Sequence, residues 1–223
     1  YLTSAISGTT LADFGDDFLT TGFIGSNYPP SPTNPTPFVS IYTYNESIPG
    51  IIDSGFVHAT NITNPIGVGQ GLWAWVDGNQ ATNIDIVGSP NVGNINLPIS
   101  YTNNGNSAND GWNLIGNPYP SAISYASFIA ANSHIDGTIY FWTHQTAPSY
   151  QDSPFYFDFA YNYSDDYIDS NYTGSNPPSF NGDIAAGQAF FVLMRDQSQG
   201  TSTSEDIIFN NTMRHETLIN SQF

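Results

Sequence analysis

Three observations predict an all-β fold of duplicated, sandwich-like units of jelly-roll type with at most short helices. They are a motif that occurs twice, short strand-like runs between turn clusters, and weak helical periodicity. Gly69-Gln70-Gly71-Leu72-Trp73-Ala74-Trp75-Val76 returns as Gly187-Gln188-Ala189-Phe190-Phe191-Val192-Leu193-Met194. Ahead of each copy runs an aromatic segment, Ile41-Tyr42-Thr43-Tyr44-Asn45 and then Ile139-Tyr140-Phe141-Trp142-Thr143. Further upstream, Tyr1-Leu2-Thr3-Ser4-Ala5-Ile6-Ser7 stands where the second copy has Asn113-Leu114-Ile115-Gly116-Asn117-Pro118-Tyr119. Order is kept while loop lengths drift, as expected when one β module is duplicated. Residues 1–102 are read as the first unit, 103–110 as a hinge and 111–223 as the second, the two packing as one domain or a tandem pair.

Strands are predicted at 38–44, 71–76, 84–87, 112–116, 138–143, 155–161, 188–193 and 207–210. Each is rich in β-branched and aromatic residues and bounded by Gly, Pro, Asn or Asp. Short helices are predicted within 9–19 and 121–132. The Pro-rich stretch 26–37 cannot enter a central strand. The Asn/Gly/Ser/Asp run at 103–110 supplies the hinge.

The 223 residues include 39% hydrophobic and 15% aromatic positions, with 20 Gly and 15 Pro, which describes a folded, turn-rich chain. Two basic residues, Arg195 and Arg214, stand against 19 acids, and there is no lysine, giving a net charge of −17. That balance argues against nucleic acid and anionic lipid as partners, since both are bound through Lys and Arg. With only 9% charged residues, the surface must consist mainly of Asn, Ser, Thr, Gly and Tyr, a composition suited to an extracellular β domain. Cysteine is absent, so no thiol chemistry is available. No apolar run reaches the roughly 20 residues that would cross a bilayer as a helix. The chain opens inside a strand-like segment without Met, so it is expected to be part of a longer protein.

Asp110-Gly111-Trp112-Asn113-Leu114-Ile115-Gly116-Asn117-Pro118-Tyr119-Pro120-Ser121, followed by Ile135-Asp136-Gly137-Thr138-Ile139-Tyr140-Phe141-Trp142, resembles a β module of large surface and secreted proteins of Bacteroidetes. Ile184-Ala185-Ala186-Gly187-Gln188-Ala189-Phe190-Phe191-Val192 completes the pattern, and Ile208–Arg214 fits the segment that follows it. Such proteins use the type IX secretion system. The resemblance therefore implies export by that machinery to the cell surface of a Gram-negative bacterium, and it brings no catalytic residues.

Few residues stand in patterns that carry chemistry. His58, His134, His144 and His215 lack metal-site spacing, no Gly-x-Ser-x-Gly elbow occurs, and no phosphate loop is present. Two dense acidic groups, Asp13, Asp16 and Asp17, and then Asp165, Asp166 and Asp169, are candidate calcium ligands, because Ca²⁺ takes hard oxygens. Tyr150, Tyr156, Tyr167 and Tyr172 form a candidate platform for glycan or protein contact, since a tyrosine ring offers flat apolar area with a polar tip. Trp73, Trp75, Trp112 and Trp142 read as core. The expected function is that of a non-enzymatic structural or adhesive module of a larger extracellular protein. Its expected partners are neighbouring domains of the same polypeptide, with glycans or surface proteins as further candidates. The alternative is a carbohydrate-binding module of a secreted polysaccharide-degrading enzyme.

Overall fold

The computed structural model describes residues 1–76, 82–105, 108–142, 149–150, 159–160, 167–171, 174–176, 182–196 and 201–214. Its elements are β1 (Ile41–Tyr44), β2 (Phe56–His58), β3 (Trp73–Ala74), β4 (Ile95–Tyr101), β5 (Trp112–Gly116), β6 (Ile123–Ser124), α1 (Tyr125–Ala131) and β7 (Ile135–Trp142). There follow β8 (Ser149–Tyr150), β9 (Phe159–Ala160), β10 (Tyr167–Asn171), β11 (Gly174–Asn176), β12 (Asp183–Ile184), β13 (Ala189–Met194) and β14 (Thr203–Phe209). Every ladder between them is antiparallel. The fold is all-β, with one short α-helix and brief 3-10 turns.

The repeated motif repeats in register. The first unit has a sheet of order β2-β1-β3, and the second contains the run β10-β7-β13-β5. Ile41 pairs with Ala74 and Tyr42 with Trp73. The matching positions of the second copy, Ile139 with Val192 and Tyr140 with Phe191, pair in the same way. On the far side, Tyr42 and Tyr44 oppose His58 and Phe56, just as Tyr140 and Trp142 oppose Asp169 and Tyr167.

Turn chemistry explains why the Gly-Gln pair recurs. Gly69 and Gly187 adopt φ of +77° and +73°, a left-handed backbone that favours glycine. The following glutamine folds back over the turn: Gln70 Oε1 accepts the Gly67 N–H at 2.9 Å, and Gln188 Oε1 accepts the Ala185 N–H at 3.1 Å. Helical starts recur as well. The Leu11–Phe14 3-10 helix carries a capping box from Thr10 and Asp13, and the Ser124 side chain caps α1 by accepting the Ser127 N–H.

Four segments close a hydrogen-bonded ring between the copies. Leu2 and Leu72 exchange both backbone bonds, at 2.9 and 2.7 Å. Gly71 N–H donates to Leu114 O, and Gly116 N–H donates to Gly69 O. β5 then pairs with β13, and Thr3 N–H donates to Gly187 O while Ala189 N–H donates to Tyr1 O. Each copy thus supplies strand partners to the other.

Burial separates two main cores. Leu11, Phe14, Phe18, Phe23, Ile41 and Leu72 fill the first, and Phe128, Ile139, Phe141, Phe190, Val192 and Phe209 are central to the second. β4 falls in the expected first unit, yet Ile99 and Tyr101 pack in the second core through the β4–β14 ribbon. A boundary at 102 therefore does not coincide with the division of the cores. Pro98 hides β4 from a sequence reading; its missing N–H lies on the edge turned away from β14, where proline is tolerated. Asparagine side chains finish the two ribbon edges. Asn113 pairs with the N–H and C=O of Ser100 at 3.1 and 2.8 Å, and Asn132 pairs with those of Ile208 at 2.7 and 3.0 Å. A carboxamide here stands in for a neighbouring peptide unit.

Residues 84–87 form no strand: they are mostly exposed, with no ladder partner among the described residues. A β-like composition without a free sheet edge beside it is not enough.

Candidate functional site: an aromatic face shared by the repeats

Strand alternation gives each sheet two apolar faces. One face of β1 and β7 carries Ile41, or Ile139 and Phe141, into a core. The other carries Tyr42 and Tyr44, or Tyr140 and Trp142, and these rings join those of neighbouring strands. Ring centroids lie 5.5 Å apart for Tyr42–Trp73, 4.8 Å for Phe56–Trp73 and 5.8 Å for Trp73–Trp75. Phe191 links the copies, lying 4.9 Å from Tyr44, 6.0 Å from Phe56 and 6.2 Å from Trp112, and Trp112 lies 5.0 Å from Tyr140. Many of these contacts are edge-to-face, the geometry favoured by the ring quadrupole. The centre of the face is buried at Leu114, Ala189 and Phe191, and the rings around it are half-buried.

The four tryptophans therefore correct the expectation of core. All are half-buried, and none belongs to either main core. Alternation reveals which residues share a face, but both faces of these strands are apolar, so it cannot say which one is enclosed. Burial raises the Tyr42 hydroxyl pKa above its usual value, so that group stays a neutral donor.

The proposed tyrosine platform is only partly described. Tyr167 stands opposite Trp142 in the β7–β10 ladder, so its backbone borders the aromatic face; Tyr150 pairs with Phe159 in the β8–β9 ribbon. Tyr156 and Tyr172 lie outside the described residues.

Among the candidate calcium ligands, Asp165 and Asp166 also lie outside the described residues, and Asp169 stands opposite Tyr140 in its ladder. Asp13 is engaged in capping: its Oδ2 accepts the Thr10 N–H at 2.7 Å and the Thr10 hydroxyl at 3.1 Å. Asp16 is exposed, and Asp17 turns to the 82–85 segment, where its Oδ1 accepts the Asp85 N–H at 3.3 Å. Desolvation, followed by the Asp85 and Asp16 charges, raises the Asp17 pKa, with the Asp85 N–H acting in the opposite sense. Among the described residues, no group of three or more His, Asp or Glu is placed to hold a metal ion. The first cluster is thus dispersed over a cap, a solvated turn and a tether.

One polar centre has no warning in the sequence. Glu46, buried just beyond β1, accepts the Thr102 and Gly111 N–H groups through Oε1 at 2.7 and 2.8 Å. Through Oε2 it accepts the Ser100 and Thr102 hydroxyls at 2.8 and 2.6 Å. It pins the first copy to both ends of the 103–110 loop. Elsewhere, Leu2, Ala5, Ile6, Ile84 and Ile86 line most of an open apolar cleft of about 310 Å³.

Fold and face together define a duplicated antiparallel β protein with an extended, half-buried aromatic face spanning the two copies. The chain belongs to the family described as a domain of unknown function (DUF8693), whose model matches residues 29–223. No curated protein and no solved structure matches it. No helix among the described residues is long and apolar enough to cross a membrane.

Proposed function

We propose that this protein is a non-enzymatic, extracellular structural and adhesive module of a larger secreted or surface-anchored protein, and that it makes contact through the aromatic face. The carrying observation is the position of the half-buried rings of Trp73, Phe56 and Trp112, on sheet faces turned away from both main cores. Aromatic side chains at a contact surface present large rigid area at small entropic cost, which is why they concentrate binding energy. The net charge of −17 favours neutral or cationic partners over polyanions. Export through type IX machinery to a Gram-negative surface rests on the resemblance carried by Asp110–Ser121 and Ile184–Val192.

Carbohydrate binding within a polysaccharide-degrading enzyme is the second reading, favoured by the same rings, because sugar rings stack on flat aromatic faces. A glycan array followed by calorimetric titration of neutral polysaccharides tests both readings. Trp112→Ala and Trp73→Ala are each expected to weaken partner binding at least tenfold, about 1.4 kcal/mol. Loss of neutral-glycan binding selects the second reading, and loss of binding to a surface protein selects the first. A partner held equally well by both variants would remove the aromatic face from the account.

A further inference from the structure

The two copies differ at one sheet edge. β10 of the second copy stands where β2 stands in the first, and Asp169 matches His58, since they oppose the equivalent tyrosines Tyr140 and Tyr42. On its far side β10 carries a further antiparallel strand, β11, in which Asn176 faces Asp169. β2 ends its sheet, whose order is β2-β1-β3, so the first copy has no equivalent of β11 among the described residues.

Register decides which backbone groups this leaves open. Ala59 N–H donates to Ile41 O at 2.9 Å, and Asn45 N–H donates to Gly55 O at 2.8 Å. Antiparallel bonds fall at every second residue, so Val57 turns its N–H and C=O towards Thr43, while those of Phe56 and His58 point out of the sheet. The Phe56 N–H is used by the preceding turn, where it donates to Asp53 O. The Phe56 C=O and both backbone groups of His58 have no partner among the described residues. The ribbon edges are closed by contrast. Pro98 interrupts the outer edge of β4 and Asn113 bonds it, while Asn132 bonds that of β14, which also carries Glu205 and Asp206. Such devices keep an edge from pairing with another chain. Phe56-Val57-His58 has no proline, no acid and no covering carboxamide.

We propose that β2 is a strand-addition site: an extended segment of another polypeptide, neutral or basic in charge, lies antiparallel to it in the place that β11 takes in the second copy. The residue opposite His58 bonds both its N–H and its C=O, and the N–H two residues along reaches the Phe56 C=O. In strand addition, main-chain bonds give affinity and alternate side chains give specificity. Side chains opposite His58 and Phe56 fall on the aromatic face, where the Phe56 ring lies 4.8 Å from Trp73 and 5.2 Å from Tyr44. Apolar side chains fit there. The net charge of −17 sets the sign of the partner and opposes edge-to-edge pairing of two copies. The site stands on backbone geometry and does not depend on the adhesive reading.

The test is selection from a displayed library of random linear dodecapeptides against the full chain, followed by calorimetric titration of the enriched peptide in synthetic form. Its binding should be about tenfold weaker to His58→Pro, which removes the outward N–H and leaves the Val57–Thr43 pair alone. N-methylation of the peptide's backbone amides, one at a time, checks this result without altering the protein. Loss should alternate along the peptide, strong at amides that face β2 and slight at those between them. Hydrogen exchange of the His58 amide should also slow about tenfold or more in the complex. Three results would each overturn the proposal. They are the absence of any enriched peptide, binding indifferent to His58→Pro and to every methylation, and a chain that dimerises through this edge with its His58 amide already protected.

Discussion

Glu46→Ala is expected to lower unfolding free energy by about 3–5 kcal/mol, and the melting temperature by roughly 6–20 °C for a chain of this size. The carboxylate is 7% exposed and accepts four hydrogen bonds, two from backbone N–H groups at Thr102 and Gly111. Hydrogen bonds to a charged group contribute about 1.5–3 kcal/mol, and each buried donor left unpaired costs about 1–3 kcal/mol. Water entering the vacated space offsets part of this sum, hence the range. Glu46→Gln keeps the shape but faces an NH₂ group towards donors on one side, so an intermediate loss is expected. Chemical denaturation of the three proteins measures the series; an Ala variant within 1 kcal/mol of wild type would mean that Glu46 does not hold the junction.

Gly116→Ala should be nearly as damaging, for a steric reason. A Cβ at Gly116 would overlap Thr3 Cβ and Cγ2 and approach Thr3 Oγ1 to 2.9 Å. The overlap is with atoms close to the backbone, and the Thr3 hydroxyl is already donating to Gln70 O at 2.7 Å, so rotation does not relieve it. Overpacking typically costs about 1–3 kcal/mol, and this position belongs at or above the top of that range. Thr3→Gly in the same chain should restore part of the loss, because it empties the space the new methyl group needs. A double-mutant cycle reads this as a coupling energy of opposite sign to the single losses. Additive effects would show that the two residues do not meet across the ring.

The duplication was legible because turn chemistry is local. Gly69-Gln70 and Gly187-Gln188 announce a left-handed turn closed by a glutamine side chain, and the strand beyond it follows at fixed distance. Residues 121–132 likewise announce α1, with Ser124 as its cap. β4 was hidden by Pro98, and β2, Phe56-Val57-His58, is too short to show alternation. Glu46 sits in a polar run, Asn45-Glu46-Ser47, and every one of its partners lies more than fifty residues away. Long-range satisfaction of a buried acid leaves no local pattern. The aromatic face was half legible: alternation grouped Trp73 with Trp75, but tertiary packing determined that this group lies outside the cores.

The central claim is that the two copies are one mechanical unit, closed through the ring of 1–3, 69–72, 114–116 and 187–190 and pinned by Glu46. Differential scanning calorimetry tests it most directly. The account predicts one cooperative transition in which the calorimetric and van't Hoff enthalpies agree, because neither copy can open without breaking strand pairs of the other. Two separable transitions, one assignable to each copy, would contradict it.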